Sequence, residues 1–241
     1  FVYDRLDNLA NNCNYIITCV GNDKDLRSVF LSKNGIHNGV RSGTFIIDHT
    51  TASPEISKVL FKKFVKKGSY FFDAPVSGGE VGAELGKLSV MIGGEKKKLT
   101  NIIGLVKQYS KSVTYMGKSG AGQLTKMVNQ ICVAAIIQGL AEGLNFAKKK
   151  NLRIADILKV IKNGAGQSWQ LENRAETMWK NKYNFGFMNK LMLKDLNIIF
   201  DEIKKSNIKL PVTNIIRKNY KNLIKLGFES EDTSNLIRLL M

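Results

Sequence analysis

The first half of the chain alternates short apolar runs with segments of helical spacing. Continuous apolar runs of about four to eight residues are typical of strands buried on both faces of a parallel sheet. The runs of this kind, and therefore the expected strands, are 14–20, 44–48, 70–74, 87–92 and 112–116. Because helical patterns separate several of them, the order predicts an α/β domain with a mostly parallel sheet and helices on both faces.

The clearest helix signal in this half follows the second strand. Ser53 is a suitable N-cap and Pro54 a suitable first helical residue. Earlier in the chain, 25–31 has helical spacing, whereas the glycine-rich stretch 34–43 is expected to be a loop. The helix after Ser53 would bury a face made of Ile56, Val59, Leu60 and Phe64.

The pattern changes at Gly117, after which no convincing strand is found. A single helix is expected over 121–149, and at 1.5 Å per residue it would be about 43 Å long. The further expected helices are 153–162, 168–180, 188–206, 211–226 and 232–240. We therefore predict two domains, 1–117 with the sheet and 118–241 all-helical, with the long helix as their boundary.

Composition narrows the class of protein. The chain has 241 residues, 44% of them apolar, and a formal net charge of +17. The lysines are spread along the chain with only short runs such as 96–98, so a solvated basic surface that favours anionic ligands is expected rather than nucleic-acid binding.

The cysteines and the apolar runs bear on the compartment. Cys13, Cys19 and Cys132 are odd in number, lack metal-ligand spacing, and in two cases lie in apolar runs, which predicts reduced core thiols in a cytosolic type of compartment and no metal site. Because no apolar run reaches the ~18 residues of a membrane span, no membrane partner is expected.

The long helix carries the first candidate for chemistry. The turn Gly120-Ala121-Gly122 opens it, Lys126 lies one turn inside, and Asn129 follows on the same face. Burial and the positive end of a helix both favour a neutral lysine, which is suited to acid/base work. The alternative is an ordinary surface lysine. The apolar neighbours that leave Lys126 little exposed face are Ala121, Leu124, Met127, Val128 and Ile131.

Two other places combine strand ends with polar or glycine residues. Ser77-Gly78-Gly79 follows the third strand, and its backbone N–H groups and hydroxyl could hold a carboxylate, although a plain turn would look the same. Val20-Gly21 and Thr51 lie beyond two other strands, where ligands of open α/β sheets bind, although a helix-capping role for Thr51 fits the pattern equally well. His49 is expected at the rim of that region and not as a catalytic base.

Four segments together resemble the β-hydroxyacid dehydrogenase family, and within it the 3-hydroxyisobutyrate dehydrogenases. They keep the family's order and spacing, and the resemblance covers essentially the whole chain. The segments are FIIDHTTASPEISK (45–58), FFDAPVSGGEVGAELGKLSVMIGG (71–94), GAGQLTKMVNQICVAAIIQGLAEGLNFA (120–147) and FGFMNKLMLKDLNII (185–199).

The resemblance implies a Rossmann-type α/β domain followed by an all-α domain like that of 6-phosphogluconate dehydrogenase. It implies NAD- or NADP-dependent interconversion of a short 3-hydroxy acid and its semialdehyde. Lys126 matches the family's catalytic acid/base. The positions implied to bind substrate are Ser77, Gly78, Gly79 and Asn129, and those implied to bind cofactor are Val20, Gly21, Asp25, Thr51 and Lys194.

The chain also departs from the family pattern. No GxGxxG turn precedes residue 14, so the N-terminal part of the Rossmann domain is missing, and we expect the sequence to be a fragment of a longer enzyme rather than a natural truncation. Gly21 replaces a proline, and Gln130 stands where several relatives have a second asparagine.

The resemblance leaves the substrate open. Tartronate semialdehyde, glyoxylate, succinic semialdehyde and sulfolactaldehyde are substrates of related enzymes. A non-catalytic, nucleic-acid-associated module of the same fold is a further alternative, which the presence of Lys126 disfavours. We expect a homodimer or homotetramer that is cytoplasmic, or in the mitochondrial matrix of a eukaryote.

Overall fold

In the computed structural model, which describes residues 1–204 and 206–241, the chain divides into two units between Val128 and Asn129. The first unit holds the sheet. Among the described residues of the second unit, the regular elements are all helices, and one isolated β-bridge joins Met188 and Asp232. The division falls inside a helix that runs from Ala121 to Lys149.

The sheet has six strands, in the order β1-β2-β3-β5-β4 with β6 beside β5. The strands are β1 (Tyr15–Thr18), β2 (Phe45–Asp48), β3 (Tyr70–Asp73), β4 (Val76–Ser77), β5 (Leu88–Gly93) and β6 (Ser110–Gly117). The pairs β1–β2, β2–β3 and β5–β6 are parallel, whereas β5 runs antiparallel to β3 and β4.

The reversal at β5 is a difference from the mostly parallel sheet that the pattern predicts. β3 and β4 run in the same direction along β5, since Asp73 pairs with Gly93 and Val76 pairs with Val90. The chain turns back after β4, because only residues 78–87 lie between β4 and β5 and parallel neighbours need a crossover of about a dozen residues or more. The expectation that every strand is buried on both faces also fails for β1, where Tyr15 and Ile17 are exposed while Ile16 and Thr18 are buried.

The helices of the first unit cover the sheet. They are α1 (Leu6–Asn11), α2 (Asp23–Leu31), α3 (Ile36–Gly39), α4 (Pro54–Val65), α5 (Gly79–Glu84) and α6 (Thr100–Val106). As predicted, Ser53 caps α4, because its Oγ accepts a hydrogen bond from the Ile56 N–H. The stretch 34–43, expected as a loop, contains the short helix α3, whose Ile36 joins the core beside Phe30 and Phe64.

The helices of the second half follow the expected pattern closely. They are α7 (Ala121–Lys149), α8 (Ile154–Ile161), α9 (Trp169–Trp179), α10 (Asn189–Ile203) and α11 (Pro211–Lys225). The last predicted α-helix is instead a 3₁₀ helix, Thr233–Leu240. Residue 205, within the expected span of α10, lies outside the described residues.

α7 is also long and apolar enough to cross a bilayer, by length and composition alone. An 18-residue stretch of α7 has a mean hydropathy of 1.4, and 39% of that stretch is buried within the protein. The core helix of a soluble protein meets the same criteria, so this is weak evidence for a membrane span. Two polar side chains of α7, Gln130 and Gln138, are buried, and each forms a hydrogen bond with another part of the helical unit.

The cysteine prediction is partly wrong. Cys19 and Cys132 are exposed and Cys13 is only half-buried, so none is a core thiol. Cys19 follows the half-covered strand β1, and Cys132 lies on the exposed side of α7. No disulfide joins the described cysteines.

Candidate active site

Lys126 is buried in the second turn of α7. It retains 8% of its exposed area, and its Nζ donates a hydrogen bond of 2.8 Å to the Val76 carbonyl oxygen. The sequence left open whether this residue is a surface charge. Its burial in the described structure contradicts that alternative and places the ammonium beside the strand that leads into Ser77.

The first turn of α7 is anchored by the carboxylate of Asp73, at the end of β3. Asp73 Oδ1 accepts a hydrogen bond of 2.7 Å from the Gly120 N–H, and Oδ2 accepts one of 3.2 Å from the Gln123 N–H. Burial raises the pKa of Asp73 to about 6, although these backbone donors oppose that rise. The carboxylate satisfies donors that the start of a helix otherwise leaves unpaired.

Close packing at this junction requires a glycine. A Cβ at Gly122 would lie 2.4 Å from the Met91 carbonyl oxygen and 2.7 Å from that of Asp73. Both neighbours are backbone atoms of strands, so they cannot move aside cheaply. The glycine-rich turn that opens α7 therefore lets the helix pack closely against the sheet, and this contact sets the position of the Lys126 backbone.

Gln123 links the first turn of α7 to the loop that follows β2. Its Oε1 accepts from the Ala52 N–H at 3.1 Å, and its Nε2 donates to the Thr50 carbonyl oxygen at 2.7 Å. Its side chain is buried. The loop after β2 and the start of α7 are thus held together by two hydrogen bonds from one amide.

Ser77-Gly78-Gly79 lies where β4 ends and α5 begins. Gly78 and Gly79 have φ of 132° and 63°, which side chains with a Cβ rarely adopt. Both glycines are exposed and Ser77 is half-buried. The turn therefore presents its backbone and one hydroxyl at the surface, on the segment whose Val76 carbonyl accepts from Lys126.

His49 supports this segment and is not placed as a base. Its Nδ1 lies 2.6 Å from the Ala74 carbonyl oxygen, so Nδ1 carries the hydrogen, and its Nε2 lies 2.9 Å from the Tyr109 hydroxyl. Burial lowers the pKa of His49. The imidazole is therefore neutral near pH 7 and braces the loop between β3 and β4, which places it deeper than the rim position expected from the sequence.

A second buried carboxylate, Asp48, organises the ends of β1 and β2. Its Oδ1 accepts hydrogen bonds from Thr18 Oγ1 at 2.9 Å and from Thr50 Oγ1 at 2.7 Å. Thr50 Oγ1 in turn accepts from the Val20 N–H at 2.9 Å. Asp48 Oδ2 is buried without a hydrogen-bond partner among the described residues, and burial raises the pKa of Asp48 to about 7.

The positions implied to bind cofactor in the first unit gather around these strand ends. Val20, Gly21, Asp25 and Thr51 are all half-buried, and a Cβ at Gly21 would lie 2.6 Å from Asp25 Oδ2. Strands β1 and β2 are parallel neighbours, so their carboxyl ends share one edge. A backbone without a Cβ at that edge fits the close approach of a nucleotide.

The remaining predicted positions lie in the helical unit. Asn129 Nδ2 donates to Gln130 Oε1 at 2.9 Å, and Gln130 Nε2 donates to Asp195 Oδ2 at 2.6 Å. Lys194 Nζ forms an ion pair of 3.0 Å with Asp195 Oδ1. These four side chains form one polar cluster that joins α7 to α10.

Sequence reasoning missed Asp48, Asp73, Gln123 and the partner role of Asp195. The available signal was an aspartate that ends each of two apolar strands, since a buried carboxylate must find donors. Within the described ranges, no group of three His, Cys, Asp or Glu residues could hold a metal ion.

Two known protein families match the chain, one over each of its parts. Residues 1–117 match the family described as the NAD binding domain of 6-phosphogluconate dehydrogenase. Residues 120–240 match the family described as NAD-binding of NADP-dependent 3-hydroxyisobutyrate dehydrogenase.

Individual relatives extend along nearly the whole chain. An uncharacterised oxidoreductase of Shewanella frigidimarina is 43% identical over 98% of this chain and 81% of the relative. The 2-hydroxy-3-oxopropionate reductase of Escherichia coli is 32% identical over 93% of this chain and 77% of the relative. The fold is shared with the 3-hydroxyisobutyrate dehydrogenase of Mycobacterium tuberculosis, with a TM-score of 0.89 at 23% identity over 99% of this chain and 83% of the other.

A Rossmann-type sheet domain followed by a helical domain, with both parts matched by NAD-binding families, defines an NAD(P)-dependent dehydrogenase. More narrowly, the chain belongs to the β-hydroxyacid dehydrogenase family. It is an NAD(P)-dependent hydroxyacid dehydrogenase, and its cofactor is NAD or NADP. The fold class and family predicted from the sequence are confirmed.

Proposed function

We propose that this enzyme interconverts a short 3-hydroxy acid of the 3-hydroxyisobutyrate type and its semialdehyde, with Lys126 as the general acid and base. The observation that carries the proposal is the burial of Lys126, whose Nζ donates to Val76 O, one residue before the Ser77-Gly78-Gly79 turn. A buried amine next to a turn whose backbone N–H groups could bind an anion suits a substrate that has a hydroxyl near its carboxylate.

The other predicted positions are proposed to bind the substrate or the cofactor. The backbone N–H groups and the Ser77 hydroxyl would hold the substrate carboxylate, while Gly78 and Gly79 let it approach the main chain. Asn129 would hydrogen-bond the substrate and hold its orientation. Val20, Gly21, Asp25 and Thr51 would contact NAD or NADP, and Lys194 would lie near its nicotinamide.

The chemistry assigned to this chain is a proton transfer at Lys126. In oxidation, neutral Nζ takes the proton of the substrate hydroxyl as the C–O bond becomes a carbonyl, and in reduction the ammonium returns it. NAD or NADP, when bound, supplies the acceptor or donor of the hydride. The protein contributes orientation and electrostatics to that exchange.

Replacement of Lys126 tests this role. In the intact enzyme, we expect Lys126→Ala to lower kcat for the hydroxy acid by about 100- to 10,000-fold, which is the usual contribution of acid/base catalysis. Lys118→Ala is the matched control, because Lys118 is exposed and lies only two turns away in sequence. Cofactor affinity, measured by fluorescence titration, should stay within about twofold in both variants, and a Lys126→Ala enzyme that retains near-normal turnover contradicts the proposal.

A reductase acting on tartronate semialdehyde, glyoxylate or succinic semialdehyde is the second candidate. The match to the Escherichia coli reductase favours tartronate semialdehyde among these, since 2-hydroxy-3-oxopropionate is the same compound. Steady-state kcat/KM over a panel of these aldehydes and 3-hydroxyisobutyrate decides between the two. A tartronate semialdehyde value at least tenfold above all others would replace the first candidate.

We further propose that the dinucleotide domain spans 1–117 and the helical domain 118–241. The enzyme would be a homodimer or homotetramer in the cytoplasm, or in the mitochondrial matrix of a eukaryote. An exposed apolar side of α7, formed by Leu124, Val128, Ile136 and Phe146, supports self-association. Sedimentation velocity would report a single species of monomer mass if this is wrong.

A further inference from the structure

Three consecutive carbonyl oxygens lead into the Ser77-Gly78-Gly79 turn, and each faces a different hydrogen-bond donor. We call the residues that carry them, 74–76, the connector. The three pairs are Ala74 O with His49 Nδ1 at 2.6 Å, Pro75 O with the Met91 N–H at 3.0 Å, and Val76 O with Lys126 Nζ at 2.8 Å. A side chain at the end of β2, a backbone group of β5 and the proposed catalytic lysine therefore hold the connector together.

The backbone of the connector has little freedom to turn. The ring of Pro75 fixes its φ and leaves it no N–H, so the Ala74–Pro75 peptide can form a hydrogen bond only through its carbonyl oxygen. Because Pro75 O is held as well, that peptide cannot rotate without breaking one of two hydrogen bonds. Val76 follows at once and pairs with Val90 of β5. A shift of Ala74 O would therefore be passed on to the carbonyl that faces Lys126.

The hydrogen on His49 is placed by its two neighbours. A carbonyl oxygen only accepts, so Nδ1 must donate to Ala74 O. Nε2 is then the acceptor for the Tyr109 hydroxyl, at 2.9 Å, and burial raises the pKa of Tyr109 to about 12, which keeps that hydroxyl protonated. The His49 backbone N–H also donates to Thr18 O at 2.8 Å. The donor that faces the connector is thus anchored to β1 and oriented by Tyr109.

Burial makes this donor hard to replace. His49 retains 8% of its exposed area, and Ala74 and Pro75 are buried. A buried carbonyl oxygen that loses its donor costs free energy unless water or another group reaches it. Without the imidazole, the connector would have to shift to recover a partner for Ala74 O.

We infer that His49 is a positioning residue for the substrate side of the site. It holds Ala74 O, and through the connector it sets where the Val76 carbonyl meets Lys126 and where the Ser77-Gly78-Gly79 turn presents its N–H groups. The inference rests on the proposed function, because the roles of Lys126 and of the turn are taken from it.

Two substitutions separate the two sides of the imidazole. The amide nitrogen of Asn is bonded to Cγ, as Nδ1 is in His, whereas that of Gln lies one bond further out, as Nε2 does. His49→Asn therefore keeps a donor for Ala74 O and loses the contact with Tyr109, and His49→Gln does the reverse. Each variant loses one buried hydrogen bond, so we expect similar losses of Tm.

The kinetic test uses the intact enzyme and the hydroxy acid or aldehyde that it turns over best. We expect His49→Gln to lower kcat/KM by about 10- to 100-fold, because a misplacement of about 1 Å can cost that much. His49→Asn should rescue kcat/KM to within about threefold of wild type, and cofactor affinity should stay within about twofold in both variants. Equal kcat/KM in the two variants, or a parallel loss of cofactor affinity, would overturn the inference.

A second readout needs no turnover. In protein labelled with ¹⁵N-histidine, His37 is the only other imidazole, so His49→Asn assigns both signals. His49 should show the Nδ1–H tautomer in a two-bond ¹H–¹⁵N spectrum, and the Nε2–H tautomer would refute the hydrogen bond to Ala74 O and with it the inference. A Lys126→Ala enzyme with normal turnover would instead refute the proposed function, while the tautomer and the difference between the two His49 variants would remain.

Discussion

Replacement of Asp48 by asparagine should make the protein more stable above neutral pH. Asp48 is fully buried, and Oδ1 takes all of its hydrogen bonds from Thr18 and Thr50. Asparagine can keep that oxygen in place and put its NH2 at the position of Oδ2, which has no partner among the described residues. It is therefore a neutral copy of the protonated acid.

The magnitude follows from the pKa. Burial raises the pKa of Asp48 from 3.8 to about 7. A group with a raised pKa stabilises the folded state most fully below its unfolded pKa, and that contribution is lost as pH rises toward 7. About three pKa units at 1.36 kcal/mol each give a loss of about 4 kcal/mol as an upper value. Asparagine does not ionise, so the free energy of unfolding of Asp48→Asn should exceed the wild-type value by an amount that grows from pH 4.5 to about 7 and then levels off.

Urea unfolding at several pH values measures this difference. Both tryptophans, Trp169 and Trp179, lie in the helical unit, so their fluorescence follows that unit while far-UV circular dichroism reports on both. The gain should appear in the circular dichroism transition, which includes the unit that holds Asp48. Asp201→Asn, at an exposed position of α10, is the control. A difference between Asp48→Asn and wild type that stays constant with pH refutes the reasoning.

Two further substitutions probe the junctions around Lys126. Gly122→Ala places a methyl group 2.4 Å from the Met91 carbonyl oxygen. We expect it to lower the free energy of unfolding, measured with urea, by about 1–3 kcal/mol, and to reduce kcat in a steady-state assay. A variant as stable as wild type would show that the start of α7 can shift to accommodate the methyl group. Tyr109→Phe removes the hydroxyl beside His49 Nε2 and should lower the free energy of unfolding by about 1 kcal/mol in the same assay. A change near zero would mean that a water molecule replaces the hydroxyl as the partner of the imidazole.

Local signals in the sequence determined most elements. Ser53 and Pro54 mark the start of α4 because a hydroxyl caps the helix within three residues, and the small-residue turn 120–122 marks the start of α7. The apolar runs identified β1, β2, β3, β5 and β6 within a few residues. The two-residue strand β4 escaped detection because its pairing with β5, rather than its own composition, makes it a strand.

The candidate site was predicted only in part. The sequence selected Lys126 and the Ser77-Gly78-Gly79 turn through their pattern and their resemblance to a family. Asp48 and Asp73 were not selected, since the position of an aspartate at the end of a strand is a weak signal until another element closes over it. Asp73 meets the backbone of Gly120, which is 47 residues away in the chain.

The order of the elements, the family and the residue types available for chemistry can be read from the amino-acid pattern. Which faces are covered, where the chain reverses before β5, and which carboxylates lose water depend on how distant segments pack. Cys19 and Cys132 lie in apolar runs yet are exposed, while the polar residues Lys126 and Gln130 are buried. The physical reason is that hydrogen-bond geometry and helix caps act over a few residues, whereas burial and the electrostatics that follow from it depend on contacts between distant segments.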